Sequence, residues 1–281
     1  MKKNFAIVGV GLIGGSLALK CRKNGLANRI VGVDSNQGHG SKAIELGLVD
    51  EMMTLDEAIR VADVIVLAVP VGVLSALLPY VLDRVSHQVV IDMGSTKSQL
   101  ANLVKDHPHR GRFVASHPMW GTEYSGPEAA VENAFEDKAV IVCDSIDSDP
   151  DALEIATEIF KSLKMRIIEM GSNDHDLHAA YVSHISHITS FALANTVLEK
   201  EKEDDAIFEM ASAGFESTVR LAKSNPDMWT PILMQNRENI LDVLNEHITQ
   251  LRKFKSCLEK ENWEYLNELM SKANQIRRII H

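Results

Sequence analysis

The chain has 281 residues, 45% of them hydrophobic, and a formal net charge of -10 at pH 7. This length suits two ordinary domains with substantial cores, and the acidity excludes a nucleic-acid partner, which needs a basic face. Cys21, Cys143 and Cys257 are odd in number and widely spaced, so neither a disulfide framework nor a zinc knuckle is indicated, and no apolar run reaches membrane-spanning length.

An apolar run, Phe5 to Val8, begins just after Lys2 and Lys3, so no signal peptide is expected and a cytoplasmic location is the expectation. Gly9-Val10-Gly11-Leu12-Ile13-Gly14 follows that run, a helix-like stretch with Leu17, Ala18 and Leu19 comes next, and a second apolar run closes at Asp34. Strand, glycine turn, helix, strand and acid in that order form a dinucleotide fingerprint in its required context. Gly9 is expected to make the tight turn, Gly11 to admit a pyrophosphate against backbone, and Gly14 to let helix and strand pack closely. The helix N-terminus at Leu12 and Ile13 then turns unpaired N–H groups toward phosphate. Asp34 would accept hydrogen bonds from the adenosine ribose and repel a 2′-phosphate, so NAD is expected over NADP.

Further apolar runs at Ile30 to Val33, Val64 to Val69, Val89 to Ile91, Arg112 to Ala115 and Ala139 to Cys143 alternate with helix-length segments. Such alternation marks an α/β, doubly wound Rossmann-type parallel sheet. Thr54 and Glu57 form a capping box before Ala58 to Ala62, and Pro70 stops the strand that ends at Val69. The polar stretch 145–151, a helix over Ala152 to Leu163 and a strand over Met165 to Glu169 complete the sheet. The boundary falls near Gly171, giving a dinucleotide-binding domain, 1–170, and an all-helical domain, 171–281. Ala179 to Leu198 is apolar nearly all round, as in helices buried in a bundle or between subunits. Ile232, Leu233, Ile240, Leu241, Leu244, Ile248 and Leu251 mark a second long helix, and Trp263, Leu266, Leu269, Met270, Ala273 and Ile276 a third. So much apolar stripe in a small domain predicts a homodimer through the helical part. Lys200 to Asp205 is read as a solvated turn.

Ligand chemistry in such folds sits beyond the carboxyl ends of the strands. Val69 and Pro70, the Asp92 to Lys97 loop with Ser95, and the Ser116 to Glu123 loop occupy that edge. His117, ending a strand and followed by a proline, can take the proton of a substrate hydroxyl while hydride leaves the same carbon; it can equally cap a backbone carbonyl. Ser95 is either an accessory to that site or an ordinary helix N-cap. His175, His178, His184 and His187 raise the question of a metal, but at about 100° per residue the first pair points away from the second, and no HExxH motif is present, so no metal is expected. His184 and His187 share a face that can hydrogen-bond a polar substrate. Arg220 either snorkels to solvent or meets an anion, and Trp229 is either a packing anchor or a ligand contact.

Taken together, GVGLIGGS at 9–16, LAVPV at 67–71, DMGSTK at 92–97, SHPMWGTEYSG at 116–126, HD at 175–176, SHISH at 183–187 and GFESTVRLAKSNPDMW at 214–229 resemble the prephenate/arogenate dehydrogenase family of tyrosine biosynthesis over essentially the whole chain. The resemblance implies an NAD(P)-binding domain followed by a helical dimerisation domain. It implies that His117 engages the ring hydroxyl with help from Ser95, and that Thr122 and Glu123 continue the same loop. His187 and Arg220 would be substrate-side residues, the arginine on a carboxylate, with Trp229 near the cleft, contributed by either subunit. The implied reaction is NAD-dependent oxidative decarboxylation of prephenate to 4-hydroxyphenylpyruvate; arogenate, giving tyrosine, is the alternative substrate, and His187 favours the keto acid.

The chain departs from the family pattern at Glu216, Ser217 and Val219 near the arginine, at Ser186 in place of a common proline, and at the bulky Trp120. With the sequence ending at His281, neither a regulatory nor a chorismate mutase domain is expected, and tyrosine feedback would then be expected to act at the active site. Other two-domain reductases, such as β-hydroxyacid dehydrogenases, are disfavoured by the SHPMWGTE loop. A catalytically silent NAD-sensing dimer is disfavoured by the intact His117, Ser95 and Arg220.

Overall fold

A computed structural model describes residues 2–201 and 209–279. Strands β1 (Lys3–Val8), β2 (Ala27–Val33), β3 (Glu51–Met52), β4 (Val64–Leu67), β5 (Val89–Asp92), β6 (Phe113–Pro118), β7 (Ala139–Cys143) and β8 (Arg166–Met170) form one sheet in the order β3-β2-β1-β4-β5-β6-β7-β8. Helices α1 (Leu12–Lys23), α2 (Gln37–Glu45), α3 (Leu55–Val61), α4 (Val71–Leu82), α5 (Ser98–Leu103) and α6 (Pro150–Ser162) connect them. Successive residues of a strand face opposite sides of its sheet. Phe5 and Ile7 accordingly enter one core cluster, while Ala6 and Val8 enter another on the opposite face. All four residues of β4 are buried, as expected of a central strand covered on both faces. The capping box before α3 is formed, Thr54 N donating to Glu57 Oε2 at 3.0 Å and Glu57 N to Thr54 Oγ1 at 3.4 Å.

One pairing differs from the expected parallel sheet: β7 runs antiparallel to β6, while β8 is parallel to β7. A parallel neighbour needs a crossover that carries the chain back to the starting edge, usually through a helix. Residues 119–138 contain only the short 3₁₀ turn Pro127–Ala129. The chain therefore reverses at the carboxyl edge and lays that loop beside the glycine turn. The two-residue strand β3 was not anticipated.

Beyond Met170 the described residues contain no strand. α7 (Ser172–Ala179) passes through a π-helical turn, Ala180–His184, into α8 (Ile185–Glu201); α9 (Ala213–Val219), a 3₁₀ turn at Arg220–Lys223 and α10 (Pro226–Gln235) follow. The chain divides into compact units Met1–Asn236 and Arg237–His281, the second made of α11 (Arg237–Glu259), α12 (Trp263–Ala273) and a final 3₁₀ turn. The long helix expected from Ile232 to Leu251 is thus interrupted at Asn236, whose backbone leaves the helical region (φ -107, ψ 25). The 179–198 stretch is less buried within one chain than its composition predicts, since Tyr181, Val182 and Leu198 are exposed. Of the charge run Lys200 to Asp205, residues 202–205 lie outside the described residues. Among the described residues, no helix is long and apolar enough to cross a membrane.

Candidate active site

The glycine turn follows β1, with Gly9 N donating to Val33 O at 2.8 Å. Gly9 has φ +92, and a Cβ there would stand 2.4 Å from the carbonyl oxygen of Ala68. At Gly14 a Cβ would stand 2.0 Å from the oxygen of Gly9 and 2.8 Å from Ile7 Cγ2, so that position is closed by helix-to-strand packing. Gly11 differs from both: the nearest atom to its Cβ would be Gly126 N, 4.0 Å away. The space over Gly11 is therefore open, and α1 begins there without a side-chain cap. An open cradle at an uncapped helix N-terminus fits a pyrophosphate, with Leu12 and Ile13 opening the helix. Asp34 follows β2 and accepts from Val10 N at 3.1 Å and Asn36 N at 2.9 Å, with His39 Nδ1 3.9 Å from its Oδ1. Val69 and Pro70 lie between β4 and α4, next to Gly9.

His117 lies on β6, next to its final residue, at the same edge. The floor below it is polar and buried. Lys97 Nζ bonds the carboxylate of Asp92 and donates to Ser116 O at 2.7 Å, while Ser116 N donates to Asp92 Oδ1 at 3.0 Å. Lysine and aspartate are both fully buried, a combination that is tolerated only when the charges meet and their other hydrogen bonds are made. The half-buried His117 imidazole places Nδ1 2.8 Å from His175 Nε2, and His175 Nδ1 lies 2.8 Å from Asp176 Oδ1. Asp176 also accepts from Lys97 N at 2.8 Å and Ser98 N at 2.9 Å, capping the start of α5. Burial opposes its charge, but the bonds from His175 and these amides outweigh it and hold the carboxyl below its ordinary range. Burial, with His175, Lys97 and His184 nearby, pushes His117 well below the ordinary histidine value. Its imidazole is neutral near pH 7 and suited to accept a proton.

Helical phase failed for the histidine cluster because of the π-turn at 180–184. Each i→i+5 bond adds a residue to the turn, so a count at 100° per residue misplaces everything beyond it. His175 and His184 are both buried, whereas His178 is exposed. His184 Nδ1 lies 3.1 Å from Asn236 Nδ2, which also donates to Asp176 O at 2.6 Å, and burial pushes His184 down to about 4. His187 stacks on Trp229 with ring centroids 3.5 Å apart, and its Nδ1 faces Ser183 O at 3.1 Å. Burial lowers its pKa too, outweighing the bond to Ser183. Trp229 is buried against this pair, and its Nε1–H meets no acceptor among the described residues.

Arg220 opens the 3₁₀ turn after α9 and lies 3.7 Å from Glu123 Oε2. Ser190 brackets that turn, donating to Thr218 O at 3.0 Å and accepting from Ala222 N at 3.1 Å. Glu216 pairs loosely with Lys223 at 3.8 Å and Ser217 bonds back to Gly214 O, so these two departures from the family pattern are engaged away from the guanidinium. Trp120 packs edge-on against Phe135, ring centroids 5.7 Å apart, alongside the core cluster that holds Phe135. Thr122 is exposed and accepts from Tyr124 N at 3.3 Å. Ser95 is half-buried in the β5–α5 loop and makes no side-chain hydrogen bond among the described residues. Sequence reasoning missed Asp92, Lys97, Ser190, Asn236 and the role of His175 and Asp176; the HD pair at 175–176 was the available signal.

A glycine turn, an acid at the end of β2 and a neutral histidine at the carboxyl edge define a nucleotide-binding protein with a proton-accepting site. Residues 17–169 match the family model described as prephenate dehydrogenase, nucleotide-binding domain, and residues 171–272 match prephenate dehydrogenase, dimerization domain. The chain belongs to the prephenate dehydrogenase family. It is 31% identical to the prephenate dehydrogenase of Bacillus subtilis, over 99% of this chain and 76% of that protein. Among solved structures it is similar to prephenate dehydrogenase from A. aeolicus in complex with hydroxyphenyl propionate and NAD+, with a TM-score of 0.91, 31% identity and coverage of 100% of this chain and 99% of that one. Synechocystis arogenate dehydrogenase gives a TM-score of 0.80 at 28% identity, covering 99% of this chain and 100% of that one.

Proposed function

We propose that this protein is an NAD-dependent prephenate dehydrogenase that converts prephenate to 4-hydroxyphenylpyruvate and carbon dioxide. The observation that carries the reading is His117, a neutral imidazole at the sheet edge that also holds the glycine turn. NAD, when bound, accepts the hydride from the ring carbon that bears the hydroxyl. Gly11, Leu12 and Ile13 cradle the pyrophosphate, Gly9 makes the turn that presents them, Gly14 lets α1 pack on β1, Asp34 receives the ribose hydroxyls, and Val69 and Pro70 wall the path toward the nicotinamide. His117 accepts the hydroxyl proton as hydride leaves, and Ser95 orients the same hydroxyl. The bond to the ring carboxylate then breaks, its electron pair entering the ring as carbon dioxide departs, the ring oxygen takes the proton back from His117, and aromatisation drives the reaction. Proton acceptance and orientation are what the protein contributes.

Arg220 recognises a substrate carboxylate, exchanging its contact with Glu123 for a bidentate one. Trp229 offers its unpaired Nε1–H to a substrate oxygen, and His184, His187, Thr122 and Glu123 complete the pocket. The functional division at 170/171 and a homodimer formed through the helical part belong to the same reading, supported by the dimerization-domain match. A cytoplasmic location also belongs to it, since three unpaired thiols suit a reducing compartment.

One observation favours arogenate. With Nδ1–H donated to Ser183 O, a neutral His187 presents a bare Nε2, which suits the ammonium of an amino acid better than a keto oxygen. The test is NADH formation by purified protein with NAD and prephenate, run beside arogenate and beside NADP. Turnover of prephenate with NAD supports the proposal, turnover of arogenate alone replaces the substrate, and silence with both refutes the assignment.

A further inference from the structure

We propose that His175 and Asp176 are positioning residues that fix the tautomer of His117, holding its proton on Nδ1 and turning a bare Nε2 to the cleft. The proposal rests on the reading of His117 as the proton acceptor. It begins from Asp176, whose two carboxylate oxygens accept from Lys97 N, Ser98 N and His175 Nδ1. A carboxylate fixed by two main-chain amides cannot rotate away from its third donor, so His175 must carry its proton on Nδ1. In the neutral imidazole Nε2 of His175 is then a lone pair, and the atom 2.8 Å from it, His117 Nδ1, supplies the proton between them. That leaves Nε2 of His117 without a proton. Both His175 and Asp176 are 2% exposed, so water does not compete for these bonds.

Without such a chain, a neutral histidine divides between two tautomers, one of which presents N–H to the substrate hydroxyl and cannot accept its proton. Each member of the chain is anchored independently. Asp176 is tied to the start of α5, its carbonyl accepts from Asn236 Nδ2, and His175 N donates to Gly171 O at 2.9 Å.

Two experiments test the proposal. Nitrogen-15 NMR of the imidazoles in the wild-type protein at neutral pH, assigned by comparison with His117→Asn, reads the tautomer without substrate. The expected result is Nδ1–H with bare Nε2; Nε2–H, or an even mixture, overturns the proposal. The second experiment compares His175→Leu with His175→Gln, whose amide oxygen can still accept from His117 Nδ1–H. Loss of an outer partner of this kind lowers activity about 10–100-fold. His175→Leu should show that loss in kcat with KM changed by less than about threefold, while His175→Gln recovers most of it. Equal kcat in both variants overturns the relay. If neither prephenate nor arogenate is turned over, the functional reading fails, and the wild-type tautomer still decides the relay. If His175→Leu does not fold, the spectrum and the glutamine variant decide it.

Discussion

Gly11 and Gly14 stand three residues apart in one motif, yet the structure assigns them opposite sensitivities. In Gly14→Ala the new Cβ meets the oxygen of Gly9 at 2.0 Å and Ile7 Cγ2 at 2.8 Å. Overpacking costs about 1–3 kcal/mol, and a backbone oxygen that cannot swing aside calls for the upper end of that range. Better helix propensity offsets about 1 kcal/mol. The net loss is then about 2 kcal/mol, or roughly 4–8 °C in Tm for a unit of this size. In Gly11→Ala the Cβ meets nothing nearer than 4.0 Å, and φ of -78 suits alanine. A poorer N-cap costs at most about 1 kcal/mol, so the Tm should fall by no more than roughly 2–4 °C. The methyl does, however, occupy the space over the helix N-terminus. Two lost charge-assisted hydrogen bonds to phosphate, at about 1.5 kcal/mol each, weaken NAD binding on the order of 100-fold. Calorimetric Kd for NAD and thermal melts of both variants check the pair. Gly11→Ala binding NAD within about threefold of wild type would place the pyrophosphate elsewhere and refute the reasoning.

Asp34→Ser removes the acceptor and the negative charge that repels a 2′-phosphate, so the NADP-to-NAD ratio of kcat/KM should rise at least about tenfold; an unchanged ratio counts against its ribose role. Burial, with His175, Lys97 and His184 nearby, holds the His117 imidazole well below the ordinary histidine value. Since the neutral form is the active one, kcat/KM should stay level as pH falls through 6.5 and drop only below it, and half-loss near pH 7 would contradict this. The folded-state pKa of His184 is depressed from an ordinary 6.5 to about 4, so the unfolded chain takes up the proton first. That group's contribution, roughly 3 kcal/mol, is intact above pH 6.5 and is lost as pH falls toward 4, so urea unfolding of His184→Gln should show a flatter acid limb than wild type. Arg220→Ala should raise the substrate KM by about tenfold or more with a smaller change in kcat, and a KM equal to wild type would remove the guanidinium from carboxylate recognition.

Most of the sheet is legible because its strands are short apolar runs separated by helix-length segments. Ala139–Cys143 matches its expected bounds, and the others differ by a few residues at their ends. β3 escapes because two residues cannot display a period. The direction of β7 escapes for a different reason: nothing in residues 119–138 reads as a crossover helix, but that lack is only meaningful once β6 and β7 are known to be neighbours. The break at Asn236 interrupts a hydrophobic pattern that continues across it. Its cause is tertiary, since the Asn236 side chain is engaged by Asp176 O and His184 Nδ1. Long-range hydrogen bonds of this kind leave no trace in local spacing.

The same distinction separates the candidate residues that were legible from those that were not. His117 and the glycines lie at strand ends, where α/β topology alone assigns an edge. His175 and Asp176 lie on a helix, where position depends on phase, and the π-turn following them resets that phase before His184. The position of His175 follows from the demands on Asp176. A buried carboxylate needs donors, and the start of α5 needs an acceptor for its first amides. Satisfying both ties α7 to the β5–α5 loop at the depth where His175 reaches His117. Bonds that tie α7 to the β5–α5 loop are therefore also bonds that orient the imidazole, so loosening Asp176 would disturb His175 and uncap α5 together.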